Sequence, residues 1–495
     1  MPSLTELLAA GTSIPEHHPW PRAAVDEATW RDAGAALADG SLGLVGLWSE
    51  GNRVHLALSE TAGDRTALGV LSLDCPDRRF PSIGAHHPAA TRLERTIRDL
   101  GGPEPDGAPD ARPWLDHGRW PGSAEAAKAP YPFLPVEGEG LHRIPVGPVH
   151  AGIIEPGHFR FTVHGETVVR LEARLGYVHR GLEARLRGAD LPHAARLAGR
   201  ASGDSTVAYT LAFCLAAEAA LGCAVPERAV LLRGLMAELE RLANHFGDIG
   251  AIANDAGFAL MLAHCGVLRE RVLRLADALF GHRLMMDRIV PGGVAIDLTG
   301  QGPRDLRTLI ADLRRHFPGL VQLYDRTASL QDRMVGTGIV QPALARRFGA
   351  GGFVGRASGN IFDARRALRY PPYDRLDFEV PVRQEGDVNA RVWIRILEVD
   401  QSLALLEQIL DALPDGPILA AAPMRDGEGL AVVESFRGDV LAWVRLEGAQ
   451  VAHAHLRDPS WFQWPLLEAA IDGNIVADFP LCNKSFNCSY AGHDL

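Results

Sequence analysis

The chain has 495 residues, 47% of them hydrophobic and 22% charged, the make-up of a globular protein long enough for about three domains of roughly 150 residues. Lys+Arg is 50 against Asp+Glu 61, a formal net charge of −11, and with no long basic run this argues against a nucleic-acid partner. Six cysteines, none in a Cys-x-x-Cys pair, argue against a disulfide framework, a zinc ribbon or a cysteine-bound iron–sulfur cluster.

The opening MPSLTELLAAGTSIPEHHPWP has no basic n-region and no long apolar core, so no signal peptide is expected. Leu42 to Trp48 and Arg53 to Leu58 are β-type runs about Ser49-Glu50-Gly51-Asn52 and predict a hairpin. Ala89 to Leu100 predicts a helix with Leu93, Ile97 and Leu100 on one face. Residues 101–113 are turn-rich, and residues 121–140, rich in Pro, Gly and Ala, read as a linker. From Leu141 the character changes. Ile144 to Val168 reads as a small sheet. Helices are expected over Arg200–Gly222, Pro226 to about Ala253, Ala259–Phe280, Gly302–Val335 and Asn389–Leu413, and a β-hairpin over Gly429–Val451. Thr206 to Val225 is apolar apart from Glu218, but its charged flanks and missing aromatic belt favour a buried helix over a membrane span. The fold class is therefore α+β. A small N-terminal α/β domain (1–120) and a linker (121–140) precede a large, mainly α-helical bundle with a peripheral β-sheet (141–495).

Five groups of residues are candidates for chemistry, each with a plainer structural reading beside it. Gly147-Pro148-Val149-His150 places a histidine at a strand edge, as a proton relay or a plain turn residue. Tyr177-Val178-His179-Arg180-Gly181-Leu182-Glu183 puts His179 and Glu183 on one face if helical, as a site or an exposed ion-paired helix. Arg200-Ala201-Ser202-Gly203-Asp204-Ser205-Thr206 opens the Ala-rich helix, with Ser or Asp as its N-cap. Glu238, Arg241 and His245, with Asp255 beyond them, sit in an apolar helix and are either a solvated face or an internal polar network. The C-terminal segment 478–493 holds Cys482 and Cys488, read as small buried hydrophobes.

In this order, Gly147-Pro148-x-His150, Tyr177-x-His179-Arg180-Gly181-x-Glu183, Pro226-Glu227-Arg228, Glu238-x-x-Arg241-x-x-x-His245, Gly355-Arg356-Ala357-Ser358-Gly359 and Gly386-Asp387-x-x-x-Arg391 resemble one family. It is the large subunit of membrane-bound group 4 [NiFe] hydrogenases, such as formate hydrogenlyase, together with the 49-kDa-type subunit of complex I. The resemblance covers roughly 141–495. Residues 80–120, with Glu94-Arg95 and Asp99-Leu100-x-Gly102, resemble the 30-kDa-type subunit of complex I, and fusion of the two modules in this order is the hydrogenlyase arrangement.

The resemblance implies two Cys-x-x-Cys pairs holding nickel and iron. Ser202 and Ser205 stand at the first pair and Ser489 and Gly492 at the second, with Cys488 one residue out of register. A soft-metal site needs thiolates, so no [NiFe] centre is expected, and the end of the chain at Leu495 suggests no maturation peptide. In complex I the Gly-Pro-x-His histidine meets a quinone headgroup and pairs with an aspartate ten residues beyond the His of the Arg-x-x-x-His helix. The corresponding positions are His150 and Asp255, so a quinone is the cofactor the resemblance suggests. The complex I quinone tyrosine falls near Gly203, with Tyr209 two turns on. The expected cavity is lined by His150, His179, Arg180, Asp204 and Asp255, with Arg180 and Arg200 close to an iron–sulfur cluster held by a partner. The partners implied are an iron–sulfur small subunit of the complex I 20-kDa type and antiporter-like membrane subunits, on the inner face of the cytoplasmic membrane. The functional expectation is an oxidoreductase subunit of hydrogenase or NADH-quinone oxidoreductase type, active within a complex. The alternatives are a non-catalytic scaffold or coupling subunit and, third, an active hydrogenase.

Overall fold

The computed structural model describes residues 2–63, 65–121, 123, 125–150, 154–448 and 450–495. Helix α1 (Leu4–Ala10) opens with a capping box in which Ser3 and Glu6 satisfy each other's backbone N–H. Strands β1 (Thr12–Ser13), β2 (His17–His18) and β3 (Arg22–Val25) follow, then α2 (Glu27–Asp39), capped by Asp26. Next come β4 (Gly43–Glu50), β5 (Arg53–Ala62) and β6 (Arg65–Asp74), in a sheet ordered β1-β3-β6-β5-β4. The expected hairpin is β4–β5, with Glu50 opposite Arg53. Strand β7 (Arg79–Pro81) pairs in parallel with β8 (Glu104–Asp106), and α3 (Thr91–Asp99) lies between them in sequence. Residues 121–140 contain only the short helix α4 (Glu125–Lys128) among those described.

Strands β9 (Leu141–Val146), β10 (His158–His164) and β11 (Thr167–Arg174) form an antiparallel sheet ordered β11-β10-β9. The bundle follows as α5 (Leu182–Leu186), α6 (Leu191–Ala198), α7 (Thr206–Leu221), α8 (Glu227–Asp255) and α9 (Ala259–Phe280). A short β12 (Ile289–Val290) and β13 (Gly293–Val294) precede α10 (Gly302–Arg326), α11 (Ala328–Met334), α12 (Pro342–Arg347), α13 (Gly352–Ala357), α14 (Ala364–Ala367) and α15 (Val388–Ala412). Strands β14 (Gly427–Glu434), β15 (Asp439–Glu447) and β16 (Gln450–Arg457) make an antiparallel meander. Helices α16 (Ser460–Ala470), α17 (Phe479–Phe486) and α18 (Tyr490–Asp494) end the chain.

Helix α7 is apolar on every side and is buried accordingly, packed on β14 and β15. Its single charge, Glu218, is held by Arg233 at 2.6 Å. Among the described residues no helix is long and apolar enough to cross a membrane. The helix expected over 302–335 breaks at Thr327 (φ −82, ψ 93) into α10 and α11. The hairpin expected over 429–451 gains a third strand, β16, and a fourth, β2, which pairs in parallel with β14. The N-terminal segment is thus woven into the large domain. Trp48 stacks on His455 with centroids 4.9 Å apart at 9°, and the buried Arg457 donates to the Val45 carbonyl at 2.9 Å.

Candidate functional site

The loop between α6 and α7 and the loop between α17 and α18 meet. Ser202 Oγ lies 2.9 Å from Ser489 Oγ, 287 positions away in sequence. Ser489 caps α18, accepting from the Gly492 N–H at 2.9 Å, and its own N–H donates to Ser460 Oγ at 2.8 Å. Ser202 Oγ and Ser205 Oγ both donate to Asp204 Oδ1, at 2.7 and 3.2 Å. All four positions expected to converge therefore share one cluster.

A residue that sequence reasoning missed sits in the middle. Arg437, in the turn between β14 and β15, is fully buried and donates from Nη2 to Asp204 Oδ2 at 2.6 Å. It also donates from Nη1 to Ser205 Oγ at 3.1 Å and from Nε to the Asn487 carbonyl at 2.5 Å. Burial pushes the Asp204 carboxyl up, but the Arg437 charge and the three hydrogen bonds outweigh it and hold the group below the ordinary carboxylate range. Tyr209 Oη donates to Asp458 Oδ2 at 2.6 Å, and burial followed by the Asp458 charge raises the phenol well above its usual value.

The resemblance implies a nickel–iron centre here, and the donors can be tested against it. Such a centre takes soft thiolates. The four positions offer three hydroxyls, already hydrogen-bonded to each other and to a carboxylate, and one glycine. A guanidinium stands within hydrogen-bond distance of Ser205 and of Asp204, and a side chain starting at Gly492 would place its Cβ well inside van der Waals contact of Asp458 Oδ2. These residues do not fit the group.

Helix α7 is not capped by Ser or Asp as expected. Ser205 makes no capping bond. Instead Glu240 of α8 accepts from the N–H groups of Val207 (2.7 Å) and Ala208 (3.1 Å). Burial raises this carboxyl to about 8, against the pull of those two bonds and with Asp204 adding to the rise. A cavity of about 210 Å³ is lined by Asp204, Glu240, Asn244, Arg269 and Arg283 on its polar side and by Leu273, Leu284 and Met285 on its apolar side.

The charged residues of α8 form an internal network. Glu238 accepts from Tyr373 Oη, Ser402 Oγ and Arg365 Nη1 at 2.6, 2.6 and 3.1 Å. Arg241 donates to the carbonyls of Glu434 and Ser435, and His245 Nε2 lies 2.7 Å from Glu398 Oε2. Arg356 bridges Glu398 and Glu434 at 2.6 and 2.8 Å. Burial opposes the Glu398 charge, but Arg356 and His245 prevail and hold the group far below its usual value. Burial and then the neighbouring Asp363 push Glu434 up to about 7. One turn beyond His245, Asp248 pairs with Arg395 (3.0 Å) and accepts from Asn487 Nδ2 (2.9 Å). Asn487 in turn accepts from Arg437, which ties the Asp248–Arg395 pair to the serine cluster.

The remaining expected residues are placed differently. His150 bonds the Gly157 backbone and faces Phe159 and Tyr490, with ring centroids at 5.8 and 6.5 Å. Asp255 closes α8 beside Asn254 and Lys484, and burial raises its pKa. Among the described contacts His150 and Asp255 are not partners: His150 bonds the Gly157 backbone, and the Gly157 N–H donates to the Pro148 carbonyl at 3.0 Å. His179 and Glu183 do not share a helix face, since α5 begins only after Gly181, whose φ of +65 starts the helix late. His179 Nδ1 instead lies 2.6 Å from the Asp494 carbonyl, and Glu183 accepts from His455 Nδ1 at 2.8 Å and the Leu456 N–H at 3.0 Å. Arg180 donates to the carbonyls of Arg200, Ala201 and Ala491 at 2.9, 2.8 and 3.1 Å, clamping the two serine-bearing loops together. Arg200 is ion-paired with Asp287. Cys482 and Cys488 are buried as expected. Arg437, Asp458 and Asp248 left no trace in the motifs. Glu240 had one available signal, its place on the same helix as the Glu238–Arg241–His245 series.

Residues 255–425 match the family model described as the respiratory-chain NADH dehydrogenase, 49 Kd subunit. Formate hydrogenlyase subunit 5 of Escherichia coli (strain K12) is 31% identical over 89% of this chain and 81% of its own length. The carbon monoxide-induced hydrogenase of Rhodospirillum rubrum is 33% identical over 70% of this chain and 97% of its own. An NADH-quinone oxidoreductase subunit of Syntrophobacter fumaroxidans (strain DSM 10017 / MPOB) is 33% identical over 70% of this chain and 95% of its own. Among solved structures, a chain of the membrane-bound sulfane sulfur reductase, an archaeal respiratory membrane complex, superposes with a TM-score of 0.68 at 27% identity. The match covers 73% of this chain and 100% of that one.

Proposed function

The chain belongs to the family of group 4 hydrogenase and complex I 49-kDa large subunits, and from that premise we propose that it is the large subunit of a complex I-related, membrane-associated oxidoreductase that works without a nickel–iron centre. The observation that carries this reading is the cluster in which Ser202, Ser205 and Ser489, at three of the four expected ligand positions, are hydrogen-bonded together with Asp204 and Arg437. A buried guanidinium there supplies fixed positive charge where the hydrogenases place metal.

The redox chemistry then lies between an iron–sulfur cluster of a small partner subunit and an acceptor in the cavity beside Asp204. A quinone headgroup, or a small acceptor such as the sulfane sulfur named for the solved relative, takes two electrons from the cluster and two protons. Glu240 is protonated at neutral pH because burial lifts it to about 8, and it faces that cavity, so it supplies one of the protons. Arg180, exposed and tied to both serine-bearing loops, and Arg200 are the cations assigned to the partner cluster's charge. The Glu398–His245 and Asp248–Asn487 links pass a change of charge at Asp204 into α8 and α15, toward antiporter-like membrane subunits. The assembly sits on the inner face of the cytoplasmic membrane.

The test uses the purified intact complex. Metal analysis is expected to find no stoichiometric nickel, and infrared spectra no cyanide or carbonyl stretches. Glu240→Gln is expected to lower turnover of a quinone analogue or of polysulfide about 10²-fold while the partner clusters still reduce. Stoichiometric nickel overturns the reading. Unchanged turnover in Glu240→Gln transfers support to the alternative, a scaffold without acceptor chemistry, which the internally satisfied hydrogen bonds of the serine cluster favour.

A further inference from the structure

An open groove of about 490 Å³ lies between α9 and α10, far in sequence from the serine cluster, and its polar lining is four arginines together with Thr308 and Asp312, whose carboxylate is taken up by Arg271. Arg304, Arg307 and Arg315 stand on one face of α10, at i, i+3 and i+11, and Arg271 joins them from α9. Arg271 is paired with Asp312, and Arg307 with Asp411 at 2.6 Å. Among the described residues no carboxylate pairs with Arg304 or Arg315, and both are exposed. Between positions 269 and 326 the sequence carries ten arginines against seven carboxylates, in a chain of net charge −11.

The outer face of α9 continues this surface. Leu260, Val267 and Arg271 fall at i, i+7 and i+11 on one face, spanning about 17 Å of helix. Leu260 is 50% and Val267 51% exposed. From Ala256 to Leu268 the chain holds no Asp, Glu, Lys or Arg. An exposed apolar ridge thus runs along one helix into a four-arginine groove. Apolar side chains next to unpaired cations suit the boundary between acyl chains and anionic headgroups.

We propose that the α9–α10 surface docks the subunit on an anionic phospholipid bilayer, with headgroup phosphates in the Arg304–Arg315 groove and Leu260 and Val267 against the acyl boundary. The proposal rests on the peripheral membrane location put forward above. It adds the face that does the docking and the lipid charge it requires. An acidic chain is repelled by an anionic surface everywhere except over a local basic patch, so this face also sets the orientation.

The experiment is flotation of the purified full-length chain with vesicles of phosphatidylcholine alone and of phosphatidylcholine with about 30% phosphatidylglycerol. Binding is expected only to the anionic vesicles, weakened by salt and little affected by millimolar inorganic phosphate. Both free arginines are exposed, so Arg304→Ala/Arg315→Ala folds normally and is expected to lower partitioning about 25-fold, about fivefold for each cation. Leu260→Ser/Val267→Ser is expected to lower it independently. Equal binding to both vesicles, equal binding by the variants, or full competition by inorganic phosphate overturns the proposal. So does an absence of vesicle binding in which the arginine variant instead dissociates the purified complex, which makes the groove an acidic-protein interface. If the complex remains in the membrane fraction of cells while these results fail, only the docking face is wrong. If it is recovered outside that fraction, the peripheral reading itself falls.

Discussion

The charge at the centre of the serine cluster can be weighed with a double-mutant cycle at Arg437 and Asp204. The Arg437 side chain is 1% exposed and that of Asp204 36%. Removing one partner of a fully buried pair costs about 3–5 kcal/mol. In Arg437→Met the stranded charge is Asp204, which keeps solvent on one side and its bonds from Ser202 and Ser205, so the cost falls to about 2–3 kcal/mol. In Asp204→Asn the fully buried guanidinium loses its hydrogen-bonded carboxylate and keeps Ser205, the Asn487 carbonyl and the nearby charges of Asp458 and Asp248, and the cost is about 3 kcal/mol. The double variant removes both charges together and is expected to be less destabilised than the sum of the singles by about 2 kcal/mol. Urea unfolding of the full chain, followed by a signal with an unchanged m-value across the four proteins, supplies the free energies. Additivity of the singles to within about 0.5 kcal/mol would refute the idea that these groups form one buried unit.

Two further outcomes follow from the same cluster. Glu240 titrates near 8 in the folded chain against an ordinary 4.5, so the folded state holds a proton that the unfolded chain releases. Its contribution is complete below the unfolded value and is lost as pH rises through about 8. Glu240→Gln should therefore flatten the fall of stability over that window, and a pH–stability curve parallel to that of the parent chain refutes the assignment. Gly492→Ala sets a methyl group inside van der Waals contact of Asp458 Oδ2 and should destabilise the chain by about 1–3 kcal/mol. A variant as stable as the parent would show that the loop has room there, and with it room for a ligand at this position.

Much of the framework was legible because it is written locally. The β4–β5 hairpin follows from alternation around a turn, α9 was read to the residue, and the apolar surround of α7 announced burial. Ordered spacing along the chain also set Ser202 and Ser489 as positions expected to converge, and the two hydroxyls do meet. Where the charges of α8 point, by contrast, is undetermined by helical period alone. The same Glu238–Arg241–His245 spacing serves a solvated face or a buried network, and only the packing of α8 against α15 and the β14–β15 turn makes it the latter.

The sequence by itself determined most of the elements and the family, and it sets Ser202, Ser205, Ser489 and Gly492 where the resemblance expects thiols. Only the tertiary structure decided what stands there instead. Arg437 reaches Asp204 across 233 positions, and Glu240 takes, across 33, the capping role that Ser205 and Asp204 were expected to fill. Each of these contacts joins elements remote in sequence. Local propensity and periodicity act over one or two helical turns, whereas the partner of a buried charge is set by which remote element packs against it.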